Sequence, residues 1–215
     1  VSRTDFKILY EDENFLAIYK QPCVHSNGLE IKRAAQSFRA AHRLDYETQG
    51  LLLMASESSW KTYNELFLGR SIQKLYLAGA SYNQYCLGKK EGFIASRYRS
   101  SKKTYFGENS QLFRSFHSVL EAKHIIRESS EKIKFSDHIY EVELITGRRH
   151  QIRSFFASQK NPLKGDKLYG DKGSQKTLEL FSWKLKFLDP FSKKEISLQA
   201  PTSLFTIDEE ELGHK

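Results

Sequence analysis

Four short runs in this 215-residue chain combine residue types that can do chemistry. The first is His42-Arg43-Leu44-Asp45-Tyr46-Glu47-Thr48-Gln49-Gly50. In an extended segment, residues two apart point to the same side, so Arg43 and Asp45 share one. The run stands directly before a short apolar stretch, where a carboxylate on a strand end can serve as nucleophile or base. A surface turn carrying an exposed ion pair uses the same residues. The second run is Thr146-Gly147-Arg148-Arg149-His150-Gln151-Ile152-Arg153. Gly147 frees the backbone for a strand-to-helix turn. The three arginines can bind phosphates or pair with a buried carboxylate. A solvated basic helix start is the plainer reading, but cations there oppose the helix dipole unless an anionic partner is present.

The third run is Lys74-Leu75-Tyr76, with Lys74 and Tyr76 on one strand face. A tyrosine in a cleft can stack on a base or move a proton; one on a half-buried strand can equally keep its hydroxyl wet. The fourth, Gly165-Asp166-Lys167-Leu168-Tyr169-Gly170, reads as tight turns with Asp166 bonding backbone, a structural role first. The seven histidines show no metal-ligand spacing.

These runs need elements to hold them. Phe6–Tyr10 and Phe15–Tyr19 flank the acidic turn Glu11-Asp12-Glu13-Asn14 and predict a β-hairpin or two neighbouring strands. Residues from Gln21 to Arg39 are polar and carry Pro22 and Gly28, which predicts loop. Gly50–Ala55 predicts a buried strand. A helix follows, capped by Ser56 or Ser58, with Trp60, Tyr63, Leu66 and Phe67 at helical spacing and Gly69 as its stop. Ile72–Ala80 reads as a strand and Arg97–Gln111 as a mobile basic loop. Val119–Ile126 and His138–Ile145 predict paired strands. Arg149–Ser158 predicts a helix with Ile152, Phe155 and Phe156 on one face. Trp183, Leu185 and Phe187 alternate with polar residues, a half-buried antiparallel strand that turns at Asp189-Pro190 into Glu195–Gln199. Hairpin-like strands with few helices predict an α+β fold with a largely antiparallel or mixed sheet.

Composition narrows the function. The formal net charge of +8 suits a polyanionic partner, and of the 15 Phe and 11 Tyr residues some belong to the core, while a surplus on a basic protein also suits stacking against bases. Two cysteines outside any CxxC pair argue against a disulfide framework or a cysteine zinc site, and suit a reducing compartment. No apolar run is long enough to span a membrane and the N-terminus lacks a signal-peptide pattern, so the expected location is cytoplasmic. GxGxxG, P-loop, HExxH and GxSxG motifs are absent.

Taken together, HRLDYETQG with Asp45, KLYLAG with Lys74 and Tyr76, TGRRHQIR and GDKLYG resemble, in order and rough spacing, the RluA-type RNA pseudouridine synthases. The opening Ile8–Lys20 is similar to that family's first strand pair, and Leu180–Pro190 to its closing strand and proline turn. The resemblance runs over about residues 8 to 201. There are departures: Gln49 stands where the family usually has Ser, Gln21 interrupts a Lys-Pro pair, the stretch from Gly28 to Ala40 is short and atypical, and Asn161 replaces a frequent His before Pro162. They bear on RNA preference more than on chemistry.

The resemblance implies a pseudouridine synthase fold with an RNA-binding catalytic cleft. It implies one catalytic domain over residues 1–215, standing alone without an N-terminal S4-like RNA-binding domain. It also implies isomerisation of uridine at a specific position of an rRNA or tRNA stem-loop, in a monomer needing neither cofactor nor metal. Asp45 matches the essential catalytic residue, Tyr76 the tyrosine that stacks on the target uracil, and Arg153 the arginine beside the aspartate. Arg43 matches the arginine that fills the gap left by the flipped base, and Ile152 the apolar position beside it. His42, Thr48, Lys74, Arg148, His150 and Gln151 complete the expected RNA contacts, with Arg97, Arg99, Lys102 and Lys103 on the backbone. The alternative is a non-catalytic RNA-binding protein that retains the fold. A hydrolase built on Asp45 lacks a second catalytic carboxylate motif or a metal cluster.

Overall fold

A computed structural model of the chain describes residues 6–33, 35–96, 101–107, 115–125, 138–170 and 177–204. The described residues form twelve β-strands and two α-helices, the α+β composition expected from the hairpin-like patterning. The chain divides into two compact units: Val1–Lys74 with Phe181–Ala200, and Leu75–Leu180 with Pro201–Lys215.

In the first unit, β1 (Lys7–Glu11) and β2 (Phe15–Lys20) form the expected antiparallel hairpin. β2 pairs antiparallel with β5 (Gln49–Ser56), and every residue of both strands is buried. The stretch expected as loop instead holds a second hairpin, β3 (Glu30–Arg33) and β4 (Gln36–Ala40). Its polar sequence conceals two apolar residues set opposite each other, Ile31 and Phe38. Phe38 is buried, and β4 continues along β5 through Phe38–Ala40. Two large apolar residues in eleven are too few for a periodicity signal, but one buried aromatic anchors the hairpin once β5 offers an edge.

Helix α1 (Trp60–Leu68) starts one residue later than its expected cap allows. Its N-cap is Ser59, and the Ser59 hydroxyl donates to the carbonyl of Asn14 at 2.6 Å, away from its own helix. Gly69 ends it in a right-handed conformation, and Arg70 takes the left-handed one at φ 61°. Tyr63 packs edge-on against Phe15 and Phe187 and donates its hydroxyl to Asp189 at 2.5 Å. Burial, and after it that bond, push the Tyr63 phenol far up. Strand β11 (Leu180–Leu188) is antiparallel to β12 (Glu195–Gln199), as expected. At its start it also runs parallel to β5, Phe181 beside Gln49 and Ser182 beside Gly50. There Phe181 and Ser182 are buried, unlike the half-buried alternation further along.

β6 (Gln73–Gly79) opens in the first unit and carries the chain into the second. Within the second unit, β6 pairs with β10 (Ile139–Leu144), β10 with β9 (Ser115–Ile125), β9 with β7 (Gly88–Ala95) and β7 with β8 (Tyr105–Gly107), all antiparallel. The expected pairing of the two strands around residues 119 to 145 is therefore present. β8 replaces part of the expected mobile loop, while Arg97 and Arg99 lie outside the described residues. Helix α2 (Gln151–Ser158) buries Ile152, Phe155 and Phe156, with Phe156 against Tyr140 and Phe155 against Phe106.

Candidate active site

Asp45 sits in the loop that enters β5, and the first unit fixes that loop from several directions. Gly50 is the reason β5 can lie against β11. Its φ is +113°, and a Cβ there would fall 2.3 Å from the Ser182 carbonyl oxygen, so no other residue fits. Ahead of the strand, Ser26 brackets Leu44: the Leu44 amide donates to the Ser26 hydroxyl at 3.0 Å, and that hydroxyl faces the Leu44 carbonyl at 3.2 Å. The Thr48 amide closes a tight turn by donating to the Asp45 carbonyl at 3.1 Å. Between these ties Asp45 is half-buried and Arg43 is exposed.

His42 is held from within. Its Nε2 accepts from the Leu53 amide at 3.1 Å, and its ring stacks on Phe67 with centroids 4.1 Å apart. Burial pulls its pKa down to about 3, the Lys74 charge adding to the effect, so the imidazole is neutral and carries its proton on Nδ1. Lys74 is itself buried, which depresses its ammonium, and the Arg70 charge depresses it further. Thr48 and Gln49 are buried too. Gln49 Oε1 accepts from the Tyr19 hydroxyl at 2.7 Å, and burial pushes that phenol up to about 12. Among the described residues the Thr48 hydroxyl and Gln49 Nε2 have no hydrogen-bond partner.

Lys20 reads in the sequence only as half of an interrupted Lys-Pro pair, with no site role there. It ends a strand of six buried residues and is itself fully buried. Its ammonium donates to three backbone carbonyls: Val24 at 2.8 Å, Gln21 at 3.0 Å and Tyr46 at 3.2 Å. The last belongs to the residue after Asp45. Burial draws the Lys20 pKa down to about 8, against the opposing pull of Cys23, Asp45 and Glu47. A lysine closing an otherwise apolar strand was the available signal.

The second unit carries Tyr76 and the basic run. Tyr76 is buried on β6, opposite Val142. His150 takes the left-handed conformation at φ 52° and starts α2. Gln151 clamps the turn before the helix. Its Oε1 accepts from the Thr146 hydroxyl and the Arg148 amide, both at 2.9 Å, and its Nε2 donates to the Val119 carbonyl at 2.9 Å. Ile152 is buried beside it.

Arg153 meets Asp166 in a bidentate pair, Nε to Oδ2 and Nη2 to Oδ1, both at 2.8 Å. Both residues are sealed from solvent. The backbone role expected for Asp166 is present as well: Oδ1 accepts from the Leu168 and Tyr169 amides. The ion pair was not foreseen, since nothing local to GDKLYG names its partner. Tyr169 joins the group through its hydroxyl, which accepts from the Thr104 amide at 2.9 Å and lies 3.1 Å from His150 Nδ1. Burial raises this phenol, partly offset by its bonds to Thr104. Arg148 and Arg149 reach the surface, where Arg149 donates to the carbonyls of Ser101 and Lys102.

The first unit holds a half-buried carboxylate, Asp45, on an anchored loop. The second holds a buried tyrosine, Tyr76, and an arginine, Arg153, oriented by Asp166. Among the described residues no group of three or more His, Cys, Asp or Glu could hold a metal, and no helix is long and apolar enough to cross a membrane.

Comparisons with known proteins show the family. A family model described as RNA pseudouridylate synthase matches residues 24–158. A ribosomal large subunit pseudouridine synthase C of Rickettsia felis is 27% identical over 230 residues, covering 95% of this chain and 70% of the relative. A tRNA pseudouridine synthase C of Vibrio vulnificus is 27% identical over 225 residues, covering 90% of this chain and 89% of the relative. The solved structure of human RNA pseudouridylate synthase domain containing 4 shares the fold, with a TM-score of 0.67 at 20% identity over 91% of this chain and 88% of that one.

Proposed function

Because the chain belongs to the RNA pseudouridylate synthase family, we propose that it isomerises a specific uridine in an rRNA or tRNA stem-loop, with Asp45 as the catalytic residue. The observation that carries the assignment is the treatment of the Asp45 loop: a fully buried ammonium, that of Lys20, binds the carbonyl next to Asp45 and interacts with the Asp45 charge. Burying a charge is costly. One buried charge that ties the Asp45 turn to the carbonyls of Gln21 and Val24 supports a turn whose position matters. The family names of the similar proteins, one on ribosomal RNA and one on tRNA, support a structured RNA as substrate.

The reaction breaks the N1–C1′ bond of uridine, turns the uracil, forms the C5–C1′ bond and releases the C5 proton, while N1 regains one. Nothing else is gained or lost. Two routes are open to Asp45: its carboxylate attacks C1′, or it removes a proton from the sugar and passes through a glycal-like intermediate. The uridine must first leave its stack, at a cost of a few kcal/mol that is least in loops. By resemblance to the family, Tyr76 is assigned to the face of the uracil, and Arg153, oriented by Asp166, to the catalytic group set. Arg43, exposed on the same loop as Asp45, is assigned to the gap left by the flipped base.

The test uses RNA from cells lacking the protein, treated with wild type, Asp45→Ala, Tyr76→Phe or Tyr76→Ala, and mapped by a pseudouridine-specific chemical read-out. New sites with wild type and none with Asp45→Ala are expected, and they name the target. Activity in Tyr76→Phe but not Tyr76→Ala is expected if the ring and not the hydroxyl is what the uracil needs. Full activity in Asp45→Ala would remove Asp45 from the chemistry.

A further inference from the structure

We propose that Phe116 and Arg148 form a subsite for a nucleotide other than the target uridine, Phe116 stacking on its base and Arg148 binding its phosphate. The proposal rests on the RNA reading above and adds a place of contact to it.

Phe116 lies at the start of β9 and is 52% exposed, a large aromatic ring left to solvent. Its cross-strand partner Ile94 is buried, so the sheet face closes at Ile94 while the ring stays outside the core. Core packing therefore gives no account of an aromatic here. The Arg148 guanidinium stands over the ring, Cζ 5.2 Å from the centroid. The arginine is anchored at two points: its Nε donates to the His117 carbonyl at 3.1 Å, and its amide donates to Gln151 Oε1 at 2.9 Å. Among the described residues its terminal Nη1 and Nη2 make no hydrogen bond. A pre-placed guanidinium with two donors to spare matches a phosphate, and the ordering cost of the side chain is already met by the fold.

The surroundings are positive. Arg149 fastens the neighbouring segment through the carbonyls of Ser101 and Lys102, where Lys102 and Lys103 are exposed. The acid facing His117 on this side, Glu91, is bonded to that histidine at 2.7 Å. An acidic peptide would satisfy the cations but leave the flat ring unused. A nucleotide uses both, because every base has a π-face and every linkage a phosphate.

The experiment measures binding of a short labelled oligouridylate to the full chain by fluorescence anisotropy over a range of salt. Polyglutamate is the competitor, and thermal midpoints check that each variant folds. Phe116→Leu keeps apolar bulk and loses stacking, and is expected to weaken binding about tenfold with the salt slope unchanged; Phe116→Trp is expected to bind as wild type does. Arg148→Gln is expected to make the slope of log Kd against log salt shallower by about 0.7, and Arg148→Lys to restore it. Wild-type affinity in Phe116→Leu, or an unaltered slope in Arg148→Gln, overturns the subsite and leaves the enzymatic reading standing. So does an equal loss of polyglutamate binding in Phe116→Leu, which marks a general acidic-partner surface. A wild-type protein that binds no oligouridylate overturns the subsite, while the enzymatic reading stands or falls by the Asp45→Ala comparison on cellular RNA.

Discussion

Arg153 and Asp166 face each other through two 2.8 Å hydrogen bonds, at 1% and 0% exposure, so the arginine expected beside the catalytic carboxylate has a carboxylate of its own. Removing one member strands a buried charge. Arg153→Ala and Asp166→Asn are each expected to destabilise the fold by about 3–5 kcal/mol in urea unfolding. The double change Arg153→Met with Asp166→Leu should cost less than either single change. A singly substituted protein of unchanged stability would show that the pair does not hold α2 to the GDKLYG turn.

Lys20 links pH to the loop of Asp45. Its pKa is lowered to about 8 from 10.5, so the folded protein releases this proton before the unfolded chain does. The sign follows from linkage: between pH 8 and 10.5 the unfolded state binds more protons, so the Lys20 contribution to stability rises with pH there. Activity should move the other way, falling above pH 8 as the charge facing Asp45 is lost. Lys20→Met should remove that alkaline limb from the kcat profile and lower kcat at neutral pH. A limb that survives in Lys20→Met belongs to another group.

His42 makes the opposite edge of the pH range sensitive. Its pKa is held near 3, and Nε2 must stay unprotonated to accept from Leu53. Below pH 6.5 the unfolded chain takes up a proton that the folded one refuses, so stability is lost as pH falls toward 3. At pH 5 the loss from this residue is about 1–2 kcal/mol. His42→Gln keeps an acceptor without a titrating group and should unfold with a weaker acid dependence. Equal pH dependence in both proteins would show that the ring titrates normally.

Gly50 should tolerate no side chain. In Gly50→Ala the methyl would meet the Ser182 backbone at 2.3 Å and force an L-residue to φ +113°. A loss of about 3 kcal/mol or more is expected, read as a lowered melting temperature, with activity falling alongside because β5 carries the Asp45 loop. Gly28, by contrast, at φ +77° with open space around a Cβ, should cost much less as Gly28→Asn.

What the sequence determined by itself was local. Alternation and helical spacing fell within a few residues of one another, and so β1, β2, β5, α1, β6, β9, β10 and α2 were legible in it. So were Asp45, Tyr76 and Arg153 as residue types in dense, unusual runs. The hairpin β3–β4 was not, because one buried phenylalanine in a polar stretch has no period. Tertiary structure decided the partners of the buried charges. Lys20 reaches a carbonyl 26 residues away, and Arg153 a carboxylate 13 residues away in a turn that reads as structural. A buried charge is defined by whatever the fold brings to it, and that approach is set by strand order and helix packing, which no short window of sequence contains. The same holds for His42, whose ring is placed by the Leu53 amide and Phe67 and kept neutral by burial.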